Sequence, residues 1–306
     1  MPDNAPTPGT ADPLNLHGVI PPLITAFDAD EDVNHEATAA HARFLVEQGV
    51  HGVFPLGTNG EFPMLSPTER ERIVQTVVDE VGGDVPVIAG VGAPSTRETV
   101  RHSTAAVEAG ADGIVVVTPY YYPLDHERTI KHYRRVADAV DCPIYVYHIP
   151  QRTGNELAQE TLRDIATIDS IVGLKDTSRN VPWLGRAIGD NTGLTFLAGA
   201  NTLVYTGLDM GCAGVVSSVS NAFPELVVDL YRAYDEGDRA RAKEIQRRVS
   251  DVAEAFDRGS YMAGVKTALD LRDVDFDPGP LRSPLRKMDD VDTGRLQADL
   301  TDLGLL

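Results

Sequence analysis

Lys175 is the residue of this chain whose surroundings point most directly to chemistry. It ends the apolar run Ile171–Leu174, whereas the other four lysines lie on amphipathic segments or in a polar tail; Lys266, for example, is interpreted as a helix residue whose ammonium reaches solvent. An ammonium in apolar surroundings loses hydration, which lowers its pKa and increases the fraction of free amine. A free amine can attack a ketone and form a protonated imine, an electron sink for a neighbouring carbanion. The alternative is an ion pair with Asp176 or another acid at the rim.

Polar residues also follow other strand-like runs. Tyr147 ends the run that precedes Lys175, so its phenol could move protons beside the lysine. The turn Gly57-Thr58-Asn59-Gly60 offers backbone amides and short polar side chains that could hold a carboxylate or phosphate. Arg152 follows Tyr147 and could bind an anion through its planar fork. Each also has an ordinary explanation, as a packed tyrosine, a common turn or a surface arginine.

Several other chemistries find no support in the sequence. The histidines and carboxylates form no H-x-H, H-E-x-x-H or clustered carboxylate pattern, which disfavours a metal-dependent aldolase. Neither a serine-hydrolase elbow nor a dinucleotide-binding fingerprint occurs. The 46 acidic residues against 27 basic ones give a net charge of −19, which repels nucleic acid and anionic lipid. We therefore expect neither as a partner.

Composition also predicts where the protein works. No apolar run approaches the ~18 residues that a membrane helix needs. Cys142 and Cys212 form no C-x-x-C pair and are interpreted as reduced, buried thiols, which favours the cytoplasm. The acidic, lysine-poor composition is typical of proteins from salt-loving organisms, where salt screens the self-repulsion.

The elements that must position these residues alternate between strands and helices. A G-x-x-G-[VI] pattern at 49–53, 110–114 and 211–215 marks three helix-to-strand junctions. The predicted strands are mostly continuous apolar runs, as in parallel sheets covered on both faces. They are Val19–Thr25, Val53–Leu56, Val85–Gly90, Ile114–Thr118, Ile144–Tyr147, Ile171–Lys175, Thr195–Ala198 and Val215–Ser218.

Eight such units predict an α/β protein, a closed (β/α)8 TIM barrel with a C-terminal helical domain. An open doubly wound sheet is the alternative. The predicted organisation is a disordered tail at residues 1–16, the barrel at 17–222 and the helical domain at 223–306. In a barrel of this kind, catalytic groups lie at the C-terminal ends of the strands, where Lys175 and Tyr147 are found.

Taken together, these stretches resemble the dihydrodipicolinate synthase / N-acetylneuraminate lyase family of class I pyruvate aldolases, from about Gly18 to the C-terminus. Four segments, in order and at the family's spacing, carry the resemblance. They are Gly57-Thr58-Asn59-Gly60-Glu61, Val117-Thr118-Pro119-Tyr120-Tyr121, Tyr147-His148-Ile149-Pro150-Gln151-Arg152-Thr153-Gly154 and Gly173-Leu174-Lys175-Asp176.

The resemblance implies a role for each matching residue. Lys175 would form the imine with pyruvate, and Tyr147 would be the acid/base, with Thr58 and Tyr121 completing a hydroxyl proton relay. In relatives the residue matching Tyr121 reaches in from a neighbouring subunit, which implies a homo-oligomer, usually a tetramer. No metal or organic cofactor is needed. The residues expected to bind substrate or line its pocket are Thr58, Asn59, Gly60, Arg152, Gly199 and Val216.

Departures from the synthase pattern suggest the substrate. Asn59 stands where the synthase has a second threonine, and His148 stands where it usually has asparagine, so both are expected to bear on the aldehyde. Arg152 is shared with the synthase, which uses an arginine there for a substrate carboxylate. The closest resemblance is to 2-keto-3-deoxygluconate aldolases, which cleave a 2-keto-3-deoxy sugar acid, or its phosphate, to pyruvate and an aldehyde. Dihydrodipicolinate synthase and a non-catalytic binding or regulatory relative are the alternatives.

Overall fold

The computed structural model of the chain describes residues 13–306 and contains one curved parallel sheet. The sheet order is β1-β7-β6-β5-β4-β3-β2, so consecutive strands from β2 to β7 are neighbours in space, and β1 pairs with β7. The strands are β1 (Gly18–Val19), β2 (Ile88–Gly90), β3 (Gly113–Val117), β4 (Ile144–His148), β5 (Ile171–Asp176), β6 (Thr195–Ala198) and β7 (Gly214–Val215).

The predicted strand Val53–Leu56 closes the sheet between β1 and β2, although its ladder is irregular. Val53 pairs in parallel with Val87 on one side, and the Phe54 N–H donates to the Pro21 carbonyl at 2.9 Å on the other. Pro21 and Pro55 have no N–H to donate, which explains why a regular ladder does not form here. The sheet is thus a closed, TIM-barrel-like α/β fold, and the doubly wound alternative is wrong.

Helices follow most of the strands and cover the outside of the barrel. The helix Pro67–Val81 begins at a capping box, as the sequence predicts: Ser66 accepts the Glu69 N–H, and the Glu69 carboxylate accepts the Ser66 N–H. Helices between the strands are α1 (His35–Glu47), α2 (Pro67–Val81), α3 (Thr96–Glu108), α4 (His126–Ala137), α5 (Pro150–Thr153), α6 (Gln159–Ile165), α7 (Val181–Asp190) and α8 (Val204–Asp209).

The chain from Pro224 onward is helical, in agreement with the loss of strand patterns there. Its helices are α9 (Pro224–Asp235), α10 (Arg239–Phe256), α11 (Tyr261–Leu271) and α12 (Asp290–Asp302). Helix α10 contacts α9, α11 and α12, so these helices pack on one another as well as on the barrel. Their description as a separate domain from residue 223 stays a prediction.

The buried side chains form two clusters, one between sheet and helices and a smaller one inside the barrel. Alternation along each strand separates them: on β3, Val115 faces the interior cluster and Val116 faces the helices. Leu16 is 2% exposed and belongs to the interior cluster, so the packed chain begins before the predicted boundary. Residues 1–12 of the predicted tail lie outside the described residues.

Two composition-based expectations concern the thiols and the membrane. Both cysteines are free, Cys212 being buried and Cys142 half-buried. Within residues 13–306, no helix has the combination of length and apolar character required to cross a bilayer.

Close packing between α10 and α11 depends on a glycine. A Cβ atom on Gly264 would lie 2.5 Å from the Phe256 carbonyl oxygen and 2.6 Å from the Phe256 Cα. Because both are backbone atoms, the helices would have to move apart to admit a methyl group. This contact therefore sets how closely α11 approaches α10.

We predict that Gly264→Ala lowers the free energy of unfolding by about 1–3 kcal/mol, since the added methyl overpacks the helix contact. Gly294→Ala is the matched control, because Gly294 is also helical but a Cβ there meets no atom within 4 Å. The free energy of unfolding of the control is expected to increase by about 0.5–1 kcal/mol, because alanine is favoured over glycine inside a helix. Urea denaturation measures both, and equal effects would contradict the packing argument.

Candidate active site

The C-terminal ends of β4 and β5 open into a cavity of about 420 Å³. Tyr147 on β4 is paired with Lys175 on β5 in parallel register, and both side chains line this cavity. Each residue is only 4% exposed. The strand register therefore brings together the two residues that the sequence selects as acid/base and nucleophile.

Lys175 is held by neutral groups. Its Nζ donates to Thr177 Oγ1 at 3.0 Å and lies 3.4 Å from the centroid of the Tyr147 ring. No carboxylate within residues 13–306 forms an ion pair with it, and Asp176 instead contacts His148 Nδ1 at 2.9 Å. Burial lowers the pKa of Lys175, although Tyr147 and Asp176 act in the opposite direction. These surroundings favour the free amine over the ammonium, and the alternative of an ion pair at the rim is wrong.

Tyr147 is placed to exchange protons beside the amine. Its hydroxyl lies 3.4 Å from Thr58 Oγ1, within the hydroxyl relay that the sequence predicts. Burial would raise the pKa of Tyr147, but the neighbouring Lys175 charge and hydrogen bonds from Lys175, Thr58 and Thr177 outweigh it and lower the pKa. A phenol with a lowered pKa can give up and recover a proton more readily than one in solvent.

Gly199 makes room for the lysine. A Cβ atom there would lie 2.1 Å from Thr177 Oγ1 and 3.1 Å from Lys175 Nζ. Val216, which the sequence also assigns to this pocket, is buried and lines the same cavity. Both residues thus lie in the lysine pocket, as the resemblance predicts. Gly199 leaves space for the Lys175 side chain, and Val216 gives the pocket an apolar wall.

The turn Gly57–Gly60, which follows the predicted strand Val53–Leu56, contributes Thr58 and Asn59 to the cavity. Gly60, predicted to bind substrate with them, is not among the lining residues. Its N–H donates to the Gly57 carbonyl at 3.1 Å, and its own carbonyl accepts the Thr25 hydroxyl at 2.8 Å. Gly60 therefore closes the turn instead of facing the cavity, because these internal bonds direct its peptide groups into the protein.

The cavity beyond Lys175 carries polar residues that the sequence did not single out for binding. Asn201, Ser218 and Tyr261 are bonded to one another: Asn201 Nδ2 donates to Ser218 Oγ at 3.1 Å, and both contact the Tyr261 hydroxyl. Burial raises the pKa of Tyr261 to about 12, so its phenol stays protonated at neutral pH. These side chains come from three separate segments, and no local pattern links them.

Two arginines stand at the mouth of the cavity. Arg152, on α5, is the residue predicted to bind an anion, and Arg179 joins it from the loop after β5. Partial burial raises the pKa of Asp257, and both arginines oppose that effect, so all three charges lie near one another. Arg179 has a backbone φ of +61°, and nothing in the sequence marks it.

Comparison with known proteins places this geometry in a family. Residues 15–303 match the dihydrodipicolinate synthetase family. An uncharacterized DapA-like lyase of Halobacterium salinarum is 64% identical over 306 residues, 100% of both chains. A 4-hydroxy-tetrahydrodipicolinate synthase of Methanopyrus kandleri is 40% identical over 296 residues, 96% of this chain and 98% of the relative. The crystal structure of YagE, an E. coli K12 prophage protein in complex with pyruvate, has a TM-score of 0.91 at 31% identity, covering 95% of this chain and 99% of that one.

The chain belongs to the dihydrodipicolinate synthetase family. Members of this family are pyruvate-dependent carbon–carbon lyases, and the non-catalytic alternative is therefore rejected. Residues 13–306 of the lyase contain no group of three or more His, Cys, Asp or Glu side chains that could hold a metal ion.

Two residues of the lyase lie away from its own cavity. Tyr121 is 83% exposed, has a φ of +80° and packs edge to face on Tyr122, so it does not reach the cavity of its own chain. His148 is fully buried between Asp176 and the Trp183 ring. Because neighbours on a strand face opposite sides, His148 points away from Tyr147, and its expected role toward the aldehyde is wrong.

We predict that imine formation in this lyase follows the lowered pKa of Lys175. The rate of borohydride trapping at low pyruvate should rise with pH and level off below the ordinary pKa of a lysine, because only the free amine attacks. Thr177→Val removes an acceptor of the ammonium protons and should move the rise to lower pH. A profile that levels off only at the ordinary lysine value would contradict this.

Proposed function

We propose that this lyase is a class I aldolase that cleaves a 2-keto-3-deoxy sugar acid, of the 2-keto-3-deoxygluconate type, to pyruvate and an aldehyde. The observation that carries the proposal is the row of neutral hydrogen-bonding groups beyond Lys175, formed by Asn201, Ser218 and Tyr261. Hydroxyls both donate and accept, so such groups suit a polyhydroxylated chain. Their mutual hydrogen bonds hold them in place before the substrate arrives.

The proposed reaction uses the two buried residues in turn. The Lys175 amine attacks the keto carbon, and the oxygen leaves as water to give a protonated imine. Tyr147 takes the proton of the C4 hydroxyl, the C3–C4 bond breaks, and its electron pair moves into the imine as an enamine while the aldehyde departs. The enamine regains a proton at C3, and hydrolysis then releases pyruvate and the free amine.

The turn that carries Thr58 and Asn59 would bind the C1 carboxylate of the substrate. Thr58 and Asn59 line the cavity next to Tyr147, so an anion held there would keep the keto carbon near Lys175. Arg152 and Arg179 stand at the cavity mouth, where they suit a phosphate or carboxylate at the far end of a longer substrate. The two arginines thus support the phosphorylated sugar acid as a substrate.

The second candidate is 4-hydroxy-tetrahydrodipicolinate synthase, which joins pyruvate to aspartate semialdehyde. Relatives that bear this name are 33–40% identical to the chain, and Arg152 would bind the semialdehyde carboxylate. Both candidates share the imine on Lys175, so they differ only in the second substrate. The expected setting for either is the cytoplasm, in a salt-rich cell.

We predict a borohydride-stable mass gain on Lys175 with pyruvate, and release of pyruvate from 2-keto-3-deoxygluconate or its phosphate in high salt. Lys175→Met is the control for both measurements, because it lacks the nucleophile. Absence of the mass gain would refute the imine. Turnover of pyruvate with aspartate semialdehyde but of neither sugar acid would select the synthase instead.

We also propose that Tyr121 completes the relay in a neighbouring subunit of a homo-oligomer, with a tetramer as the expected form. Its 83% exposure, beside a Tyr122 that is 68% exposed, is typical of an interface residue seen in a single chain. In an isologous pair, the Tyr121 phenol of each copy would enter the cavity of the other copy. The site of one chain would then be incomplete by itself.

Mixing two inactive variants tests this proposal. Tyr121→Phe and Lys175→Met chains, unfolded and refolded together, should recover about a quarter of the wild-type activity, because half of the pairs are mixed and each holds one complete site. Each variant refolded alone is the control. Lack of recovery in material that forms mixed oligomers would show that Tyr121 serves its own chain, whereas full activity of Tyr121→Phe alone would show that it serves none.

A further inference from the structure

Lys266 is buried, contrary to the expectation that its ammonium reaches solvent. Its Nζ lies 3.2 Å from Glu61 Oε1, and the side chains are only 3% and 0% exposed. The same Nζ donates to the Pro280 carbonyl at 2.6 Å and lies 4.7 Å from the centroid of the Phe27 ring. This is a fully enclosed ion pair outside the cavity that contains Lys175.

The Glu61 end of this pair continues directly from the proposed carboxylate turn. Glu61 has a left-handed backbone, with a φ of +53°, and its N–H donates to the Thr58 carbonyl at 3.2 Å. Its other carboxylate oxygen accepts the Arg282 N–H at 3.0 Å. The position of Glu61 therefore sets that of Thr58, whose hydroxyl approaches the Tyr147 phenol.

The Lys266 end belongs to a helix that also lines the cavity. Helix α11 begins at Tyr261, and both Tyr261 and Met262 line the cavity. Met262 and Lys266 are four residues apart, on one face of the helix. The ion pair thus joins the turn that carries Thr58 to the helix that carries Tyr261 and Met262.

A buried ion pair of this kind contributes little to stability, so its role is to fix the positions of the two side chains. Enclosing two charges loses hydration, and apolar residues of similar volume often serve stability as well or better. Burial is the largest influence on both groups: it raises the pKa of Glu61 and lowers that of Lys266 to about 8, against the attraction between them. What the pair supplies beyond an apolar contact is a fixed direction for each side chain.

We propose that Glu61 and Lys266 are positioning residues, which hold the turn of Thr58 and Asn59 at the right distance from Lys175 and so determine the affinity for pyruvate. The inference rests on the proposed role of that turn in binding the carboxylate. Neither residue lines the main cavity between the turn and Lys175, although Glu61 borders a neighbouring cavity of about 280 Å³ together with Thr58 and Tyr147. The Glu61 carboxylate is buried against Lys266 and the Arg282 N–H, so its effect on the substrate passes through Thr58.

The double variant Glu61→Gln/Lys266→Met tests the proposal, because it removes both charges together and leaves neither one buried alone. The half-saturating pyruvate concentration for borohydride trapping should rise about tenfold, whereas the trapping rate at saturation changes less. Glu61→Gln alone keeps the shape of the side chain and should show a smaller rise in the same direction. Lys131→Met, at an exposed lysine of α4, is the matched control and should bind pyruvate as the wild type does.

Urea denaturation of every variant separates positioning from stability. If either Glu61 variant is folded and half-saturates at the wild-type pyruvate concentration, the pair only stabilises the fold and the proposal is overturned, whatever the urea midpoint. If the wild-type protein itself shows no trapping with pyruvate, it is the proposed function that fails. The two failures are therefore distinguishable.

Discussion

The parallel register of β4 and β5 is the constraint on which the site depends. It pairs Tyr147 with Lys175 and, one residue further, His148 with Asp176. Alternation then sends the first pair into the barrel and the second toward the helices. A shift by one residue would exchange the pairs and put a carboxylate where the amine has to lose its charge. The bond between His148 and Asp176 holds the strand ends together at this register.

Burial of the Lys175 ammonium costs it hydration, and its neighbours replace only part of that hydration. Thr177 accepts a proton from the ammonium, and the Tyr147 ring offers its face, but no carboxylate of the described residues neutralises the charge. A carboxylate partner would hold the lysine protonated and so suppress attack on a ketone. Polar but neutral contacts keep the amine oriented while leaving its pKa low. Gly199 provides the space in which this arrangement fits.

Much of the site follows from residues at strand ends, since the C-terminal ends of parallel strands in a barrel meet at one mouth. Lys175, Tyr147, Thr58, Asn59 and Arg152 are all found at the cavity. Thr177 could have been found in the same way, because it follows Lys175 by two residues on one face. Gly60 and His148 lie outside the cavity lining, since the direction of a peptide group or of a ring depends on contacts that adjacent sequence does not reveal.

The sequence by itself determined the alternating architecture and the two residues, Lys175 and Tyr147, that meet in the cavity, because apolar runs and their terminal residues are local features. Only the tertiary structure decided what surrounds them. The row of Asn201, Ser218 and Tyr261, the second arginine Arg179, and the enclosed pair of Glu61 and Lys266 join segments up to about two hundred residues apart. Such contacts arise from how the barrel closes and where α11 lies across it, and no spacing in the chain encodes them.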